Sequence, residues 1–180
     1  RIRKIGMDGL ITTVVGTGEL GFSGDNEIAT DAQIFIVMGL AINDADDLFL
    51  VDQGSNCIRR VANTTQIITT VAGICGSPVD YSGENVSAIT AKFNNPAGIA
   101  VNGNGEIVFA DTHNHRVRKV RADEIINTIA GNGVVGFSGA SGIAIDAKLM
   151  NLKSVVVTDQ GEIFISDSGN YKIRKVDRHG

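Results

Sequence analysis

The chain has 180 residues, 43% of them hydrophobic, which is enough for one ordinary domain with a core. A net charge of −4 argues against a general nucleic-acid binder, which needs a basic face. No apolar run approaches the roughly 18 to 20 residues that span a bilayer, so direct membrane insertion is not expected.

Glycine is abundant (22) and proline scarce (2), a balance that suits many tight turns between short strands. The N-terminal Arg1-Ile-Arg-Lys4 reads as a strand rather than a targeting segment, because Ile2-Arg-Lys-Ile5 returns later. A second strand follows at Ile11–Gly16, and then a loop with Gly21-Phe-Ser-Gly24 and Ala32-Gln-Ile34. From there four pieces recur in order. The first is apolar: Gly39–Ile42, Gly98–Val101 and Ser154–Val157. A turn rich in Asn, Asp or Gly leads to the second: Leu48–Asp52, Ile107–Asp111 and Ile163–Asp167. The third is Ile58–Val61, Val117–Val120 and Ile173–Val176, and the fourth Ile68–Gly73 and Ile126–Gly131. Branching at Cβ in Val, Ile and Thr favours extended chain, and no helix of useful length is predicted.

The recurring arginines Arg3, Arg59, Arg118 and Arg174 lie 56, 59 and 56 residues apart. Four antiparallel strands at a period of that order signal a β-propeller blade. The expected architecture is all-β, about three four-stranded blades: a partial blade at 1–20 and repeats at approximately 32–75, 91–133 and 147–180. The apolar first strand should be innermost, buried on both faces, and the Thr-rich fourth strand outermost. Phe22, Tyr81 and Phe137, one per long loop, are expected to plug the gap between neighbouring repeats.

The string Gly98-Ile-Ala-Val101, Glu106-Ile-Val-Phe-Ala-Asp111, Asn114, Arg116-Val-Arg-Lys-Val120 resembles the NHL repeat. With Ile67–Gly73 and Gly21–Asp25, the longer form is similar to a subtype common in extracellular and cell-surface proteins, the teneurin-type propeller among them. The resemblance covers essentially the whole chain. It implies platforms for protein, glycan or RNA; a minority are enzymes, such as the peptide-amidating lyase with its metal site. Such propellers usually close with six blades, so the chain is expected to be a window of a longer run, or half of a ring made by two copies.

Chemistry is sought where the copies differ. Cys57 and Cys75 fall at the two ends of one predicted hairpin, where the other repeats carry Arg116 or Lys172 and Gly18 or Gly133. They are disulfide candidates, which would imply an oxidising compartment. Asn63-Thr64-Thr65 and Asn85-Val86-Ser87 are candidate N-glycosylation sites in a turn and a loop. His113-Asn114-His115 has a spacing able to hold zinc, but only His179 remains as a further histidine, and the segment reads as an exposed turn. Asp52, Asp111 and Asp167 recur before a turn and are assigned to structure, accepting a backbone N–H two residues on or pairing with Arg59, Arg118 and Arg174. Arg118→Ala is accordingly expected to cost a modest amount of stability. Asp25 becomes Glu84 and then Ala140, so a shared calcium site is not expected.

No catalytic, cofactor or metal residues are assigned, and no cofactor is expected. The sequence reads as a non-catalytic, secreted or cell-surface module. It would bind a protein or glycan partner through loops on a rigid scaffold, with self-association possible. The alternatives are a unit of a glycosylated filament or stalk, and part of a lyase or hydrolase whose active site lies outside this window.

Overall fold

The computed structural model describes residues 1–177. Among them fourteen strands are joined by six three-residue 3-10 turns, with no α-helix. The strands are β1 (Ile2–Ile5), β2 (Ile11–Val15), β3 (Val37–Ile42), β4 (Leu48–Asp52), β5 (Cys57–Val61), β6 (Ile68–Ala72) and β7 (Val86–Ser87). They continue with β8 (Pro96–Val101), β9 (Ile107–Asp111), β10 (Arg116–Val120), β11 (Ile125–Ala130), β12 (Leu152–Val157), β13 (Ile163–Asp167) and β14 (Lys172–Val176).

Pairing is antiparallel and sequential. The sheets run β1-β2, β3-β4-β5-β6, β8-β9-β10-β11 and β12-β13-β14, and the short β7 adds a fifth strand outside β11. These are blades. Between the third and fourth strands the register slips once, at Ile2/Arg3, Ile58/Arg59 and Val117/Arg118. An irregularity of this kind re-aims a side chain. Here it falls beside the recurring arginine, and Arg59 and Arg118 are fully buried.

The inner strands β3, β8 and β12 pack in series. A Cβ on Gly39 would sit 2.9 Å from the Ala97 carbonyl oxygen, and one on Gly98 would overlap the Ser154 backbone. Glycine is needed at both positions because backbone meets backbone. The inner strands are not equally buried, however. The β8 strand, with a neighbour on each side, is buried over Pro96–Ile99. In β3 the residues Met38, Leu40 and Ile42 are exposed, as are Lys153, Ser154 and Val156 in β12. Burial on both faces therefore holds for β8 and not for β3 and β12, since a blade face is covered only where another blade packs on it.

The core lies between blades. One cluster joins Val51 and Ile58 to Phe93, Ile99 and Phe109; a second surrounds Leu149; a third surrounds Ile34. Phe93 meets Phe109 edge-on at 4.8 Å, a preferred aromatic geometry. The plugs between repeats are thus Ile34, Phe93 and Leu149, each two residues after a buried alanine (Ala32, Ala91, Ala147). This corrects the expectation for Phe22, Tyr81 and Phe137. Phe22 and Phe137 are 50% and 47% exposed. Tyr81 and Phe137 lie beside cations instead: Arg116 is 3.8 Å from the Tyr81 ring centre, and Lys172 is 4.9 Å from that of Phe137. A ring over a guanidinium or ammonium satisfies its electrostatics while keeping one face wet.

Candidate interaction surface and its junctions

The antiparallel order puts the turns between second and third strands, with the connections from one blade to the next, at one end of the sheets. The other turns fall at the opposite end. At that opposite end each blade carries an ion pair between its first turn and third strand: Asp47–Arg60 at 2.7 Å, Glu106–Lys119 at 3.1 Å, and Glu162–Lys175. Asp47 is buried and Glu106, Lys119 and Glu162 are partly so, and the pairs reach solvent chiefly through Arg60 and Lys175.

The recurring aspartates close the second strand from inside. Asp52, Asp111 and Asp167 are fully buried. Their Oδ1 atoms accept the backbone N–H of Phe35 (3.2 Å), Asn94 (2.9 Å) and Met150 (2.9 Å). The main backbone donor is therefore 17 residues upstream, at the start of the blade, rather than two residues on. It ties the first and second strands together. Asn114 and Asn170 also donate to Asp111 and Asp167. Arg59, Arg118 and Arg174 stand 4.0, 3.7 and 3.3 Å from their aspartates. Burial pushes the Asp111 carboxyl up to about 6, against the pull of these partners; Asp52 is raised for the same reason. Without solvent access, these carboxylates accept internal backbone hydrogen bonds at the end of the second strand.

Each arginine also reaches backwards to the loop arriving from the previous blade. Arg59 donates to the carbonyls of Gln33 (2.8 Å) and Ser23 (3.0 Å), Arg118 to Gly83, and Arg174 to Ser138 (2.9 Å) and Gly139. The sequence reading missed the partner that completes this junction. Asp25 Oδ1 accepts from Arg59 Nη2 at 2.7 Å, and Asp25 Oδ2 accepts from the Thr70 N–H at 3.0 Å and from the Thr70 hydroxyl. Glu84 repeats the arrangement with Thr128, Tyr81 and Arg118. Burial and the Glu84 bond raise the Tyr81 phenol. Ala140 stands at the third copy. The acid–Thr spacing was legible, since Asp25/Thr70 and Glu84/Thr128 are 45 and 44 residues apart.

Cys57 and Cys75 are disulfide-bonded, with Cα atoms 5.1 Å apart. The bond ties the start of β5 to the segment after β6. That segment is longer here than elsewhere, because Gly73 to Tyr81 spans two residues more than Gly16 to Phe22 or Gly131 to Phe137. Its tip is held by Gly76 N–H donating to Ser55 O (2.8 Å) and Asn56 Nδ2 donating to Ser77 O (3.4 Å), while Ile74 and Val79 are exposed.

His113 is exposed and shares a hydrogen bond with Asn95 Nδ2 at 3.0 Å. His115 sits at φ 52°, and burial lowers its pKa. His179 lies outside the described residues. Among the described residues no three of His, Cys, Asp and Glu gather to hold a metal ion, and no helix is long and apolar enough to cross a membrane. Asn63 and Asn85 are both exposed. Asn85 Oδ1 accepts from Asn127 at 2.6 Å, beside the outermost strand of its blade.

Residues 93–120 match the NHL repeat family model. Teneurin-4 of Homo sapiens is 29% identical over 198 residues, covering 96% of this chain and 7% of its own length. Two solved structures share the fold. Virginiamycin B lyase of Staphylococcus aureus superposes with a TM-score of 0.57 at 17% identity, over 99% of this chain and 45% of that one. A chain of a nidogen/laminin complex gives 0.57 at 18% identity, over 81% and 45%. The chain thus spans a small part of its named relative and under half of either structural neighbour. Residues 93–120 thus carry an NHL repeat, the chain is similar to teneurins over 96% of its length, and its serial four-stranded blades are those of a β-propeller fold.

Proposed function

We propose that this chain is a non-catalytic protein-binding module of an extracellular or cell-surface protein. Three features support this. The chain is similar to teneurin-4 and teneurin-1. A disulfide joins Cys57 to Cys75, as suits an oxidising compartment. Both sequons, at Asn63 and Asn85, are exposed, and we assign N-glycans to them.

The observation that carries the reading is the loop Ile74–Asp80. It is the place where one blade departs most from its neighbours, and it is anchored by a covalent bond and two hydrogen bonds to the blade. A preorganised, partly apolar loop on a rigid scaffold loses little entropy on binding. The partner is a protein surface at the loop end of the sheets; a glycan on Asn63 would sit at the opposite end and one on Asn85 beside the outermost strand, leaving the loop end open.

The test is binding of the glycosylated protein to intact animal cells, alongside an Ile74→Ser/Val79→Ser form that loses the exposed apolar side chains of the loop and keeps Cys75 and its disulfide. Loss of cell binding with unchanged thermal midpoint supports the reading. Equal binding by both forms overturns the choice of loop. No binding by either, together with unmodified Asn63 and Asn85 in a peptide mass map, overturns the extracellular assignment. It would direct attention to the lyase reading that the shared fold keeps open.

A further inference from the structure

Position by position, the disulfide occupies a place that its neighbours fill differently. Cys57 begins the third strand of its blade, as Arg1 and Arg116 begin or precede theirs. Cys75 follows the fourth strand, where the neighbours have Gly18 and Gly133. In those blades the arginine folds over the glycine. Arg1 Nε donates to Thr17 O at 3.0 Å, and Arg116 Nη2 donates to Asn132 O at 3.0 Å. A Cβ on Gly18 would stand 2.8 Å from the Arg1 guanidinium carbon, and one on Gly133 would overlap the Arg116 guanidinium. A Cβ there would push the guanidinium aside, and φ of 98° at Gly18 and 84° at Gly133 itself favours glycine; the two positions change together: Arg with Gly, or Cys with Cys.

The backbone beneath is the same in all three blades. Gly16, Gly73 and Gly131 donate to Ala29, Ala88 and Ala144; Thr17, Ile74 and Asn132 donate to Ala32, Ala91 and Ala147. The Ile74 carbonyl, the counterpart of Thr17 O and Asn132 O, accepts Ser77 N–H at 3.0 Å. The paths part only after residue 74, where the middle connection is two residues longer and more entropy must be opposed.

We propose that the Cys57–Cys75 disulfide is a covalent replacement for an arginine clasp, one device in two chemistries that locks the third strand of a blade to the chain leaving its fourth. The bond suits the blade with the longer connection. Attack by a dithiol reductant would fall on the partly exposed residue Cys75, with the sulfur of the buried Cys57 leaving as thiolate; a second attack, by the reductant's other thiol, would close the reductant's own disulfide and leave two protein thiols. Reduction then loosens this one clasp while those at Arg1 and Arg116 hold. The inference does not depend on the binding role proposed above.

Two exchanges test it in the full chain. Cys57→Ala/Cys75→Ala removes the clasp and should lower the thermal midpoint by roughly 10 °C. Cys57→Arg/Cys75→Gly should recover at least half of that loss, should not respond to reductant, and should slow Ile74 amide exchange relative to the alanine pair. The reverse exchange, Arg116→Cys/Gly133→Cys, should form a second disulfide under mild oxidant, read as two further hydrogens lost by intact mass. A Cys57→Arg/Cys75→Gly protein that melts with the alanine pair overturns the equivalence. So does an Arg116→Cys/Gly133→Cys protein that keeps two free thiols. The second readout decides alone if the first protein does not fold.

Discussion

The junctions at Arg59 and Arg174 begin alike and end differently. Both arginines point inward from a third strand towards a buried aspartate, and both donate to carbonyls of the loop from the previous blade. At Arg59 the loop adds Asp25, which bridges the guanidinium to Thr70 on the fourth strand. At Arg174 the corresponding residue is Ala140, and the side chain is 12% exposed rather than fully buried. Backbone carbonyls are available whatever the sequence, so the grip on the loop survives substitution. The carboxylate is an addition that draws three chain segments to one point.

Replacing the guanidinium should separate the two junctions most. Arg59→Met should cost about 3–5 kcal/mol, because Asp52 and Asp25 lose a buried cation. Arg174→Met should cost less, about 3 kcal/mol, because it strands the buried Asp167 but no second carboxylate. Urea midpoints measured side by side check this, and equal losses would mean that Asp25 contributes nothing. The first figure also replaces the modest cost expected for Arg118→Ala, since Arg118 is fully buried against Asp111 and its removal strands a carboxylate.

The Arg118 junction supplies a pH probe. Burial above all raises Asp111 to about 6, over the ordinary carboxylate value of roughly 3.9. The folded protein therefore holds this proton more tightly than the unfolded chain. Asp111 contributes most to stability below about pH 4 and loses that contribution as pH rises through 6. The gap of about two pH units corresponds to roughly 3 kcal/mol. The stability difference between wild type and Asp111→Asn should fall by that order between pH 4 and 7; a constant difference would mean that Asp111 titrates at an ordinary value.

The acid itself should show the smallest effects. Asp25→Ala should cost about 1–2 kcal/mol, because Arg59 keeps its carbonyls. Ala140→Asp should gain up to about 1 kcal/mol by placing a carboxylate near Arg174, a half-exposed pair. If Ala140→Asp destabilises, the third loop does not follow the path of the first.

Strand identity was legible because β-branched runs ending at Asp and restarting at Arg recur in register. The second strands were placed to the residue, at Leu48–Asp52, Ile107–Asp111 and Ile163–Asp167. Third strands start one residue earlier than read, at Cys57, Arg116 and Lys172, because the first ladder pair forms opposite the aspartate. The roles of single side chains were harder to read. Phe22 and Phe137 looked like core by composition, yet the buried plugs are Ile34, Phe93 and Leu149. An exposed ring beside a cation and a buried one have the same letter.

What the sequence determined by itself is the repeat, the four-strand order and the two cysteines that break its pattern, all of which are local or periodic properties of the chain. Only the tertiary structure decided which blade faces are covered, that Asp25 and Glu84 bridge arginine to threonine, and that a disulfide and an Arg–Gly pair hold equivalent points. Those are contacts between segments 16 to 45 residues apart. Side-chain packing and hydrogen-bond geometry across blades set them, and neither is written in the spacing of residues along the chain.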